Sequence, residues 1–172
     1  MNHHGCGRAA NLSIMPEEKK ELMPVDDSKF TILLVEDNDD DALLVQRAIR
    51  KNNITNAIHR MKDGIEALNY LQGLEGFSDR KQFPFPEVII LDLKMPRMGG
   101  LELLAWIDEH PEYRVIPTIV LSSSRLEKDV ERSYALGANT FMVKPWNFDA
   151  LAQMIKTIHD YWAISVKPKK KI

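Results

Sequence analysis

The sequence predicts a single doubly wound α/β domain, and three observations carry that prediction. Short, unbroken apolar runs recur along the chain: Phe30-Thr-Ile-Leu-Leu-Val35, Val88-Ile-Ile-Leu91 and Pro117-Thr-Ile-Val-Leu121. Runs of this length, rich in β-branched residues, read as strands buried on both faces, as in a parallel sheet. Between them lie segments whose apolar residues return at helical spacing. Strand and helix signals then alternate from Phe30 to Trp162, the pattern of one α/β layer structure. The 172 residues allow one such domain of ordinary size plus tails. Hydrophobic content of 44% and charged content of 28% are those of a soluble globular protein. A net charge of −2 offers no global reason to expect nucleic-acid binding. Cys6 is the one cysteine, so no intrachain disulfide can form and a reducing compartment is expected. No apolar run approaches membrane-spanning length and no apolar signal segment opens the chain, so a cytoplasmic protein is the expectation.

Residues 1–29 are polar and small, with a mixed-charge run at Glu17–Glu21, and read as a flexible extension; a helical turn near Glu17–Met23 is its one structural signal. His3, His4 and Cys6 lack a fourth ligand at zinc-site spacing. The first strand ends in Glu36-Asp37-Asn38-Asp39-Asp40-Asp41, where Asp39 or Asp40 is expected to cap a helix with Leu44, Val45, Ala48 and Ile49 on its stripe. A weaker strand at Asn56–Met61, a turn at Lys62–Gly64 and a short helix through Ile65, Leu68, Tyr70 and Leu71 follow. Gly73–Pro86 reads as a long surface loop. The strand Val88–Leu91 runs into Asp92, and Pro96 with Gly99-Gly100 forces a turn. Leu101, Leu103, Leu104 and Ile107 mark a third helix ending near His110-Pro111. The strand through Leu121 terminates in Ser122-Ser123-Ser124, and a helix from Glu127 to Leu136 stops at Gly137. Asn139–Val143 is the last strand, closed by Lys144-Pro145, and Leu151, Met154, Ile155, Ile158 and Trp162 mark a fifth helix. The domain is thus expected over 30–162, with a Lys-rich tail over 163–172.

Five strands and five helices in this alternation favour the flavodoxin-like strand order 2-1-3-4-5. In that order the carboxyl ends of the first, third, fourth and fifth strands converge. Glu36, Asp37, Asp92, Ser122 and Lys144 would then meet at the edge where open α/β sheets bind ligands. Three carboxylates in one shallow cleft repel each other unless a cation sits among them, and oxygen ligands with room for water suit Mg²⁺. Asp92 becomes a candidate nucleophile, because carboxylates can form acyl phosphates. Lys144 and the Ser122 hydroxyl could each neutralise a phosphoryl oxygen. Each residue alone has a plainer explanation: helix capping for Glu36, Asp37 and the serines, and a solvated strand end for Lys144. Capping does not explain why all of them should meet.

Five separated motifs, LLVEDN, IILDLKMP, the Gly-Gly turn, TIVLSS and MVKP, occur in order over about Phe30–Trp162. In this arrangement the sequence resembles the receiver domain of two-component response regulators. The resemblance implies that Asp92 is the phosphoacceptor, that Asp37 ligates magnesium directly with Glu36 assisting, and that the Lys94 main-chain carbonyl is a further ligand. It implies Ser122 as the switch hydroxyl, Phe141 as the aromatic that turns inward with it, Lys144 as the phosphoryl-binding lysine, and a cis peptide to Pro145. The long 73–86 loop, FPEVIILDLKMP, RVIPTIVLSSS, SYALGANTFMVKP and Tyr161-Trp162 further resemble stand-alone regulators of bacterial phytochrome-type histidine kinases. The chain departs from the commonest pattern at Lys94 and Ser124, positions that shape water access.

The implied function is a switch phosphorylated by a histidine kinase, with a partner or homodimer surface over about 125–162, no DNA-binding domain and no membrane segment. Trp146 is expected either in the core or as an aromatic anchor on that surface. The alternative reading is a receiver-like module that binds partners without phosphorylation, for which loss of an acid, the lysine or the acceptor would be the sign. A dehalogenase-like phosphatase would need a second Asp where Lys94 stands. A flavin-binding flavodoxin would need a Ser/Thr/Gly-rich phosphate loop after the first strand. The chain is therefore expected to be no enzyme beyond turning over its own phosphoryl group.

Overall fold

The computed structural model describes residues 30–165. The proposed 1–29 extension and residues 166–172 of the tail lie outside the described residues.

Five parallel strands form one sheet in the order β2-β1-β3-β4-β5: β1 (Ile32–Val35), β2 (Ile58–Met61), β3 (Val88–Leu91), β4 (Thr118–Ser122) and β5 (Thr140–Val143). The three central strands are buried throughout, as their unbroken apolar runs require, while the edge strands β2 and β5 are mostly half-exposed. Alternation along β1 divides the core. Ile32 and Leu34 join one apolar cluster with Val45, Ile49, Ile155 and Ile158, and Leu33 and Val35 join the opposite one with Tyr70, Leu71, Leu103 and Leu104. The first cluster packs α1 (Asp39–Lys51) and α6 (Phe148–Ile164), and the second packs α2 (Gly64–Gln72) and α3 (Gly100–Glu109).

The expected five helices are present, joined by a one-turn α4 (Pro111–Arg114) that begins on the very proline expected to end the third helix. Proline at the first helical position lacks only an N–H that a helix would leave unpaired, so Pro111 starts a turn as readily as it ends one. The remaining helix, α5 (Glu127–Ala135), fully buries only Ser133. α6 continues past Trp162, placed at the domain end, as far as Ile164. The cap of α1 is Asn38 rather than Asp39 or Asp40; its Oδ1 accepts from the Asp40 and Asp41 amides at 2.9 Å each. Asp39, Asp40 and Asp41 thereby fall inside the first turn, where negative charge suits the helix dipole.

The Gly73–Pro86 segment is more than a surface loop. Phe77, Phe83 and Phe85 pack against the core, with the Phe77 and Phe83 rings 5.0 Å apart and edge-on. Arg80 donates to the Tyr70 and Leu71 carbonyls at 2.8 and 2.7 Å, closing the end of α2. These phenylalanines carry no periodic signal, which is why the sequence reads as irregular there. Tyr70, fully buried, donates to the Pro84 carbonyl at 2.6 Å. Burial pushes its phenol up to about 12, with nearby Arg80 opposing. A group whose folded-state pKa lies above the unfolded one contributes stability below the unfolded value and loses it as pH rises. Denaturation midpoints are therefore expected to fall between about pH 10 and 12, and to fall less steeply in Tyr70→Phe, which should itself lose about 1 kcal/mol at pH 7. Equal slopes in both proteins would count against this assignment.

Candidate functional site: an acidic cleft at the carboxyl edge of the sheet

β1, β3 and β5 deliver Glu36 with Asp37, Asp92 and Lys144 into one cleft. The Glu36, Asp37 and Asp92 carboxylates offer oxygens that all lie within 4.8 Å of one another. Glu36 and Asp92 are buried and Asp37 is half-buried. Lys144 Nζ lies 2.6 Å from Glu36 Oε2, 2.7 Å from Asp41 Oδ2 and 3.6 Å from Asp92 Oδ1. Burial pushes the Glu36 carboxyl above its ordinary pKa; its bond to Lys144 pulls the other way and the Asp92 charge adds to the rise. Burial alone would lower the Lys144 pKa, but Asp41, Glu36 and Asp92 outweigh it and hold the ammonium above its usual value.

Asp92 has one satisfied and one orphaned oxygen. Oδ2 accepts from the Lys94 amide at 3.2 Å, while Oδ1 is buried with no hydrogen-bond partner. A buried, unpartnered carboxylate oxygen facing two more carboxylates is a poor arrangement by itself and a good one for a hard divalent cation. The residues present therefore fit such an ion.

Ser122 closes β4, fully buried, and its hydroxyl accepts from the Ser124 amide at 3.3 Å. Its carbonyl accepts from the Lys144 amide at 2.9 Å, so serine and lysine are registered to each other through the backbone. Phe141 sits on β5 opposite Val120, partly buried against the second core cluster. Lys94 is exposed, and Ser124 is buried, donating to Asp129 Oδ2 at 2.5 Å. The Lys144–Pro145 peptide is trans, contrary to the expected cis isomer, since no cis bond occurs among the described residues. Trans remains the favoured state of an X-Pro bond unless surrounding contacts select the other. Trp146 is 91% exposed, which removes it from the core.

Several supporting residues were not singled out in the sequence. Asp41 bonds Lys144, and its spacing from Val45 and Ala48 (i, i+4, i+7) places it on the sheet-facing stripe of α1, a signal that was legible. Arg60 reaches from β2 to donate to the Glu36 and Asp37 carbonyls at 2.9 and 3.0 Å, fixing the backbone of the acidic pair. Arg97, at a left-handed φ of 61°, pairs with the buried Asp63 that caps α2. The Gly64 amide donates to the Met98 carbonyl at 3.1 Å, a second tie between the loops after β2 and β3. Contacts between residues so far apart in the chain leave no sequence pattern.

Fold and cleft together define a flavodoxin-like module whose acidic edge is suited to a divalent cation. The chain belongs to the response regulator receiver domain family, which matches residues 32–156. It is 36% identical over 133 residues to the probable methanogenesis regulatory protein FilR2 of Methanothrix harundinacea, covering 77% of this chain and 83% of that protein. It is equally 36% identical over 135 residues to the response regulator Rcp1 of Synechocystis, covering 78% of this chain and 90% of Rcp1. The solved Mn²⁺-bound form of Rcp1 superposes with a TM-score of 0.72 at 35% identity, over 81% of this chain and 99% of that one. The phosphorylated cyanobacterial phytochrome response regulator RcpA gives a TM-score of 0.75 at 34% identity, over 82% and 99%. The likeness to phytochrome-associated regulators read from the motifs is borne out. No helix among the described residues is long and apolar enough to cross a membrane.

Proposed function

We propose that this protein is a phosphorylation-dependent signalling switch in which Asp92 accepts a phosphoryl group from a sensor histidine kinase of the phytochrome type. The observation that carries the reading is the orphaned Asp92 Oδ1, buried beside two further carboxylates and 3.6 Å from the Lys144 ammonium. An Asp92 oxygen attacks the phosphorus of phosphohistidine, a new P–O bond forms and the P–N bond breaks. The imidazole nitrogen leaves with the bonding pair and takes a proton from water. Mg²⁺, held by Glu36, Asp37, Asp92 and the Lys94 carbonyl, would supply positive charge for the phosphoryl oxygens. Lys144 supplies a second positive charge, and the Ser122 hydroxyl exchanges its Ser124 contact for a phosphoryl oxygen, with Phe141 following it inward. The phosphoryl group adds about −1.5 to −2 charges to the cleft, enough to bias a two-state surface.

The output surface in this reading is the 125–162 face, where Leu126, Tyr134, Trp146 and Tyr161 are all exposed large side chains. Such aromatics favour docking of a partner or a second copy of the chain. The test is intact-protein mass after incubation with acetyl phosphate, with and without Mg²⁺, beside Asp92→Asn. A Mg²⁺-dependent gain of one phosphoryl group, absent in the variant, is expected. No gain under any condition would sink Asp92 as acceptor and favour a module that binds its partners without phosphorylation.

A further inference from the structure

Lys144 is gripped by a carboxylate that the cleft chemistry does not need. Asp41 stands outside the Glu36–Asp37–Asp92 group, in the first turn of α1, yet it takes one of the two short bonds of the ammonium at 2.7 Å. Glu36 takes the other at 2.6 Å, and Asp92, at 3.6 Å, lies beyond hydrogen-bond reach. We infer that Asp41 is a positioning residue that parks Lys144 away from Asp92, so that a phosphoryl group arriving there competes with Asp41 for the ammonium.

The two grips differ in how easily they yield. The Glu36 side chain is 3% exposed, so solvent is a poor substitute for the lysine there; the Asp41 side chain is 39% exposed and is readily rehydrated as Lys144 leaves. Movement of Nζ toward Asp92 therefore stretches the Asp41 bond and keeps the Glu36 bond. Asp41 thus sets a threshold for phosphoryl uptake. Its bond raises the barrier to capture and, once broken, favours return of Lys144 and loss of the phosphoryl group.

This inference rests on Asp92 being the phosphoacceptor. The competing explanation for Asp41 is a generic one, a carboxylate in a first helical turn favoured by the dipole. Asp40 shares that turn, is exposed and makes no bond to Lys144, so Asp40→Asn carries the generic effect alone. The experiment measures rates of phosphoryl gain from acetyl phosphate and of subsequent loss, by intact mass, in the unaltered chain, Asp41→Asn, Asp41→Glu and Asp40→Asn. Expected is uptake about fivefold faster with slower loss in Asp41→Asn, the fold-change for losing one partly exposed ion pair. Asp40→Asn should match the unaltered chain, and Asp41→Glu should lie nearer to it than Asp41→Asn does. Uptake in Asp41→Asn equal to or slower than in Asp40→Asn overturns the role of Asp41 while leaving the phosphoacceptor reading intact. Absence of any mass gain in the unaltered chain overturns that reading, and this inference with it.

Discussion

Lys144→Ala is expected to destabilise the folded protein by about 3–5 kcal/mol at neutral pH, because it leaves a buried carboxylate without its counter-charge. The group at risk is Glu36, 2% exposed, whose carboxyl burial already pushes upward and which relies on Lys144 to offset that. Asp92, buried and 3.6 Å from Nζ, would lose its nearest cation as well. The share of the loss owed to Asp41 is small, since that side chain is partly solvated. Chemical denaturation of the two proteins measures the difference. The double variant Lys144→Met with Glu36→Gln removes both charges together, and is expected to recover much of the stability that the single change loses. A midpoint unchanged in Lys144→Ala would show that Glu36 is solvated rather than sealed.

Gly100→Ala is the second substitution with a severe expected outcome. A Cβ at this position would stand 2.3 Å from the Asp92 carbonyl oxygen, 2.8 Å from Leu93 Cα and 3.1 Å from the Asp92 carbonyl carbon. All three atoms are backbone, so no side chain can swing aside. Gly100 also donates its amide to the Leu93 carbonyl at 3.0 Å, which pins the start of α3 against the end of β3. Alanine would otherwise favour a helical position by about 1 kcal/mol, so the clash decides the sign. The expected loss is about 3 kcal/mol. Because the displaced backbone belongs to Asp92 itself, phosphoryl uptake should fall by at least about tenfold even where the variant is folded. Gly99→Ala is the comparison: its Cβ would meet the Leu93 carbonyl oxygen at 3.2 Å, a contact that a small shift relieves. Equal behaviour of the two variants would remove the special role of Gly100.

Both predictions draw on information that the sequence carries unevenly. The unbroken apolar runs of β1, β3 and β4 announced central parallel strands, because a strand covered on both faces has no polar side. The polar residues ending those runs fall at one edge of the sheet, which makes Glu36, Asp37, Asp92 and Ser122 legible in the sequence, while Lys144 follows from the weaker run of β5. Helix periodicity worked well for α3 and α6 and largely for α1, where Val45, Ala48 and Ile49 are buried as expected but Leu44 is exposed and Ala42 takes the inward place one turn before Val45. It failed for Gly73–Pro86, where Phe77, Phe83 and Phe85 are placed by packing rather than by a repeating backbone.

The sequence by itself determined the fold class, the strands that are buried and the residue types at their ends, since strand burial follows from local pattern and the alternation of strands and helices favours one strand order. Only the tertiary structure decided how those residues share charge. Lys144 is bonded to Glu36 and Asp41 rather than Asp92, and Arg60 and the Arg97–Asp63 pair hold the surrounding loops from distant positions in the chain. It also set the Lys144–Pro145 bond as trans and turned Trp146 outward. Such choices depend on competition among side chains a few ångströms apart in space, and distance in space leaves no periodic trace along a chain.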